Sequence, residues 1–233
     1  MLLVVMTFTG LIVSSRVGVA QSGDPVVVES PLPLERDAVG EYLIARPSSE
    51  PNGTLFVFYP GGYVPPRAYE FLARALAAKG VTVAIPIMPL DLAILGIYRA
   101  SAVRDALALK GWRAKRLVVG GHSLGGAMAG WYSAWLPVDG LIFMAAYPPW
   151  SIAEKKFPVL SIAAEFDGLA TLEKVRASLP NLPANAQLEV IPGGVHAFFG
   201  RYGFQAGDGQ PTTSRDEFER RVLEKLLGFL EKI

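Results

Sequence analysis

Residues Arg116 to Trp131 read RLVVGGHSLGGAMAGW, and the rest of the chain is organised around them. An aliphatic run, Leu117 to Val119, meets Gly120 and Gly121; a single Ser123 follows, and Gly125 and Gly126 open a segment of small residues. The pattern predicts a strand, a turn too tight for side chains, and a helix. A serine held at such a turn projects its hydroxyl above the sheet edge, and its strained backbone is tolerated only between small neighbours. Gly121 and Gly125, two positions to either side, meet that condition. The following helix directs its positive dipole end and free N–H groups toward the place where an oxyanion would form.

Outward from this turn the chain alternates. Strands are expected at Tyr42 to Ala45, Leu55 to Tyr59, Val81 to Ile85, Gly140 to Ala145, Val159 to Ala163 and Leu188 to Ile191. Between them, Pro66 opens a helix that Gly80 stops, and Ala100 to Lys110 forms another closed by Gly111. The last helix, Arg215 to Lys232, starts from a capping box, Ser214 to Glu217, and carries Phe218, Val222, Leu226 and Phe229 on one stripe. Alternation of this kind predicts an α/β fold, a mostly parallel sheet covered by helices on both faces, with its functional site beyond the carboxyl ends of the strands.

At 233 residues the chain suits one such domain and is short for two. Half the residues are hydrophobic (51%) and only 18% are charged, which requires a large apolar interior. A net charge of +1 without a basic cluster excludes nucleic acid as a partner. The chain has no cysteine and only two distant histidines, so no metal site is implied.

Residues Leu2 to Val13 are almost wholly apolar, too short to span a bilayer but suited to a secretory core, with Gly18, Val19 and Ala20 at a cleavage-like site. Residues 1–20 are therefore expected to be a signal or membrane-proximal segment, and 21–233 the domain, starting near Gln21. A secreted, periplasmic or membrane-associated protein follows; a packed N-terminal helix on a cytoplasmic protein is the alternative, because no Lys or Arg precedes the run.

A serine hydroxyl needs a base to act as a nucleophile at neutral pH, and imidazole has the suitable pKa. His122 is adjacent to Ser123, so its side chain points away and packs beside the turn. His196, in the glycine-rich loop after a strand, is the base by elimination. Asp167, in EFDGLA, is the favoured carboxylate to orient it; Glu165 lies two residues away and could substitute. The order Ser123, Asp167, His196 is the one expected for this architecture. A tetrahedral intermediate needs two backbone donors: Leu124 N–H supplies one, and the turn Pro60-Gly61-Gly62-Tyr63 supplies the other, from Gly62 or, failing that, Tyr63.

Four segments, YPGGY at Tyr59 to Tyr63, GGHSLGG at Gly120 to Gly126, EFDGLA at Glu165 to Ala170 and GGVHAFFG at Gly193 to Gly200, together resemble the α/β-hydrolase superfamily over about residues 40 to 232. Within it the chain is similar to the small, cap-poor branch that includes dienelactone-hydrolase-like serine esterases, although dienelactone hydrolases proper carry a cysteine where this chain has Ser123. The resemblance implies a cofactor-free serine hydrolase acting on a small ester of short to medium acyl length. Thioester cleavage or acyl transfer by the same residues, and a non-catalytic binding protein on the same fold, are the competing readings. Only Ala146 to Phe157 separates two strands where lidded relatives insert a cap, so the expected cover is the apolar loop Met88 to Tyr98. Tyr63, Leu92, Leu95 and Trp150 are the expected substrate-binding residues.

Overall fold

A computed structural model describes residues 31–233; the expected leader, and the boundary near Gln21, lie outside the described residues. Eight strands form one sheet: β1 (Leu34–Arg36), β2 (Glu41–Ala45), β3 (Thr54–Tyr59), β4 (Thr82–Pro86), β5 (Arg116–His122), β6 (Gly140–Met144), β7 (Val159–Ala164) and β8 (Gln187–Ile191). Their spatial order is β1-β2-β4-β3-β5-β6-β7-β8. β2 pairs antiparallel with β1 and β4, and every other pairing is parallel.

The central strands are apolar on both faces, as strands covered from both sides must be. In β3, Phe56 and Phe58 point into one core while Leu55, Val57 and Tyr59 point into the other. The first core is closed by helix α1 (Glu70–Ala77), through Leu72 and Leu76. Helices α2 (Arg99–Leu109) and α3 (Leu124–Trp135) close the second, through Val103, Leu107, Met128 and Tyr132. Helix α4 (Leu172–Ser178) follows β7, and helix α5 (Arg215–Leu230) lays Phe218, Val222 and Leu226 into the first core.

The seven expected strands, counting the one before the serine turn, and three of the expected helices are present, with ends shifted by at most three residues. The helix expected from Pro66 to Gly80 divides into a 3-10 turn (Pro66–Tyr69) and α1. At Ser214 half the capping box forms: its hydroxyl accepts the Glu217 N–H at 3.2 Å, while the Glu217 carboxylate is taken by Arg220 and Arg221. Two elements were not expected. Strand β1 is three residues long and follows Pro31 and Pro33, and α4 hides in a stretch without a clear apolar stripe. The edge carrying β1 and β2 is locked to α2 by a buried ion pair, Arg99 Nη2 to Asp37 Oδ2 at 2.8 Å. Between β6 and β7, residues 145–158 contain no helix or strand, so nothing inserted there overhangs the carboxyl ends of the central strands.

Candidate active site

The turn between β5 and α3 has the strained geometry that its glycines foretell. Ser123 sits at φ 52, ψ −122, a conformation costly for any residue with a side chain and typical of functional turns. Its N–H donates to the Met144 carbonyl at 3.0 Å, and its own carbonyl accepts from Ala127 at 3.1 Å. The turn is pressed against the end of β3: a Cβ on Gly121 or Gly125 would collide with the Tyr59 carbonyl. Glycine is needed here for close approach, and Ser123 is the residue thereby raised at the sheet's carboxyl edge.

Two neighbouring strands deliver the acid and the base. Asp167 follows β7 and is buried, with Oδ2 accepting from His196 Nδ1 at 2.8 Å. Its other oxygen, Oδ1, accepts the Leu169 and Ala170 N–H groups at 2.8 Å each, which fixes the carboxylate as an acceptor. The imidazole therefore carries its proton on Nδ1 and keeps Nε2 as a base. Ser123 and His196 line the same cleft. Glu165, the alternative acid, faces elsewhere: its Oε2 accepts the Gly193 N–H at 2.8 Å and braces the loop that carries the histidine.

A further carboxylate, with no signal in the sequence beyond an ordinary Asp-Gly turn, organises this corner. Asp208 Oδ1 accepts from His196 N–H at 2.9 Å, Gly209 N–H at 2.9 Å and Gly168 N–H at 3.3 Å; Oδ2 accepts from Ala197 N–H at 2.8 Å. Asp208 thus ties the loop of His196 to the loop of Asp167, which gives the polar stretch Arg201 to Thr213 a structural role.

His122 packs beside the turn, and more intimately than its position suggested. Its Nδ1 is 2.9 Å from the Tyr69 hydroxyl, which itself accepts the Gly61 N–H at 3.0 Å. The Tyr69 proton therefore goes to Nδ1, leaving a proton on Nε2, a buried atom without a hydrogen-bond partner. Burial, and secondarily the charge His196 can acquire, hold the His122 pKa well below the usual imidazole value, so the ring is neutral. Burial likewise raises the Tyr69 and Tyr202 hydroxyls and keeps both protonated.

The backbone donors stand side by side. A Cβ on Gly62 would meet Leu124 Cδ2 at 3.1 Å, the Gly62 N–H makes no hydrogen bond to a described residue, and Leu124, first in α3, has no partner one turn back. Tyr63 (φ 58) is less available, because its N–H donates to the Asp91 carbonyl at 2.9 Å. The cleft occupies about 370 Å³ including its open mouth. Tyr63, Val64 and Leu169 line it with the groups above, and so do Tyr202 and Gln205 from the segment after His196.

Leu92, Leu95 and Trp150 do not line this cleft. The loop from Met88 to Tyr98 is pinned by the Tyr59 hydroxyl, which donates to the Ile97 carbonyl and accepts the Ala100 N–H. It buries Met88 and Ala93, packs Leu92 against the core and leaves Leu95 54% exposed on the outer surface. Trp150 joins Trp131 and Trp135 in an aromatic cluster, with ring centroids 5.8 and 6.5 Å away.

A sequence profile described as the alpha/beta hydrolase family matches residues 55–220. Among curated proteins no sequence matches the chain. Among solved structures, an esterase from Thermogutta terrifontis with butyrate bound is 14% identical, with a TM-score of 0.66 over 87% of this chain and 94% of that one. An alpha-beta serine hydrolase homologue from Coxiella burnetii is 19% identical, with a TM-score of 0.63 over 83% and 95%. The Thermogutta terrifontis esterase 2 phosphonylated by sarin is 12% identical, with a TM-score of 0.64 over 82% and 89%. At these identities the likeness is one of fold.

Proposed function

Because the chain belongs to the alpha/beta hydrolase family, we propose that it is a serine hydrolase that cleaves short carboxylic esters through an acyl-enzyme on Ser123. The observation that carries this reading is the Asp167–His196 hydrogen bond, opening onto the cleft that holds the strained Ser123. The fold neighbours support it, since they include an esterase solved with butyrate and its form phosphonylated by sarin.

His196 Nε2 removes the Ser123 proton as Oγ attacks the ester carbonyl, and Asp167 stabilises the imidazolium so formed. The oxyanion is received by the N–H groups of Gly62 and Leu124 at the start of α3. The intermediate collapses by expelling the alkoxide, which takes the proton from His196. Water, deprotonated by the same nitrogen, then attacks the acyl-enzyme and releases the acid with Ser123 restored. No step requires a cofactor.

Fluorophosphonate labelling is the direct test. The wild-type protein should be labelled at Ser123 and hydrolyse p-nitrophenyl acetate, and Ser123→Ala should do neither. A protein that neither labels nor turns over any ester would defeat the reading.

We propose in addition that Leu2 to Val13 directs export or anchors the protein near a membrane. Expression of the full gene in a bacterial host should place the product outside the cytoplasm or in the membrane fraction, with a new N-terminus near Gln21 if cleaved. An intact soluble cytoplasmic product would refute it.

A further inference from the structure

One wall of the cleft is unused by the acyl transfer just described. Gln205 lines it with only 7% of its surface exposed, and its side-chain amide hydrogen-bonds to no described residue. Tyr202, three residues earlier, also lines the cleft, and its buried hydroxyl has no partner among the described residues. The Gln205 amide is not sealed from solvent, so a molecule that displaces water from it must offer a hydrogen-bonding group in return. An unmatched polar pair beside a nucleophile is matched by what binds there. Among the described residues no Lys, Arg, Asp or Glu lines the cleft, so the complementary group is neutral.

The placement of Gln205 selects which end of the substrate it meets. In ester cleavage the imidazolium gives its proton to the departing alkoxide, so the alcohol part lies against His196. Gln205 is fixed relative to that histidine: its carbonyl accepts the Asp208 N–H at 3.1 Å, and Asp208 in turn accepts the His196 N–H at 2.9 Å.

We propose that Gln205, with Tyr202 beside it, recognises a hydroxyl group on the alcohol part of the substrate, so that the preferred ester is one of a small neutral glycol or polyol rather than a simple alkanol. The proposal rests on the serine-hydrolase reading. The Gln205 amide oxygen accepts the substrate hydroxyl proton, or its NH₂ donates to the hydroxyl oxygen; either replaces the hydrogen bond to water that substrate binding displaces.

The test is a matched pair, 2-hydroxyethyl acetate and propyl acetate, which share an acyl group and differ by a hydroxyl in place of a methyl. Acid release in a pH-stat should give a wild-type kcat/KM about tenfold higher for the hydroxylated ester, the discrimination one neutral hydrogen bond supplies. Gln205→Met should bring the ratio near one, and Tyr202→Phe should lower it less. A wild-type ratio of one or below, or a ratio that survives in Gln205→Met, overturns the proposal; the wild-type arm stands even if a variant does not fold. Labelled Ser123 together with a ratio of one defeats this inference alone. Failure both to label and to hydrolyse defeats the underlying reading with it.

Discussion

The rings of His122 and His196 pack with centroids 4.5 Å apart at an angle of 46°, so the proposed base rests on a second imidazole. The rings of Phe199, Tyr69 and Tyr202 also pack against His122, and the charge that acts on it is that of His196. A protonated His122 would therefore be a buried cation beside a group that must itself become cationic during turnover.

The depressed pKa of His122 has a consequence for stability. The unfolded chain protonates this residue below about pH 6.5, whereas the folded protein does not until its much lower native pKa is reached. Stability is thus lost as pH falls through that window, by up to about 1.4 kcal/mol per pH unit from this group. Urea denaturation from pH 7.5 to 5 should show a steeper decline for the wild type than for His122→Gln, whose side chain does not titrate. Parallel profiles would show that His122 is not the group responsible.

Asp208 should act on turnover through position, since it holds the backbone of His196 and Ala197 without touching the imidazole. Asp208→Ala leaves those N–H groups unmatched, with an expected loss of roughly 2 kcal/mol in stability and about tenfold to a hundredfold in kcat through a misplaced base. KM should change much less, and Asp208→Asn, which retains one acceptor oxygen, should recover part of kcat. A variant that lowers the melting temperature but leaves kcat intact would reduce Asp208 to a structural tie.

The two carboxylates of the Asp167 loop make separable predictions. Asp167→Asn should lower kcat by about 10⁴, the size of effect known for a triad acid, because the amide no longer holds the imidazole in the required tautomer. Glu165→Gln keeps an oxygen for the Gly193 N–H and should cost far less. Ser123→Ala and His196→Ala should each remove nearly all activity, and the double variant should be little worse than either. If Glu165→Gln proves the more damaging change, Asp167 is the wrong acid.

What could be read from the sequence divides along the same physical lines. Ser123, Asp167 and His196 were legible because each follows a strand and has a distinctive local context: a turn that only glycine allows, an Asp-Gly loop and a Gly-Gly-Val-His loop. Of the other residues that line the cleft, Gly62 and Tyr63 were expected, whereas Val64, Leu169, Tyr202 and Gln205 were not. Leu95 and Trp150 are apolar and near the right strand ends, but which way their loops turn is decided by distant contacts such as the Tyr59 hydroxyl on Ile97. Asp208, Gln205 and Tyr202 sit in an irregular polar stretch without period, and their roles come from hydrogen bonds and packing across the fold. The helix α4 was missed for a local reason: its start is marked by Thr171, whose hydroxyl accepts from Lys174, but it buries only Val175 and Ser178.

The absence of a cap between β6 and β7 bears on acyl length and on behaviour at interfaces. Of the described residues that line the cleft, only Val64 and Leu169 are aliphatic, and the loop Met88 to Tyr98, expected as its cover, turns its leucines elsewhere. Each added methylene gains up to about 0.8 kcal/mol only while it leaves water. The benefit should therefore level off within the first few carbons of an acyl series, where the chain emerges into solvent. No inserted helix spans residues 145–158 to swing aside, so aggregated substrate should bring no jump in rate. Measuring kcat/KM on p-nitrophenyl esters from acetate to palmitate, below and above the micellar threshold, decides both points. Short esters should be preferred and the rate should pass smoothly through the threshold; a steady rise to palmitate, or a sharp activation at the interface, would require a long acyl groove and a moving cover.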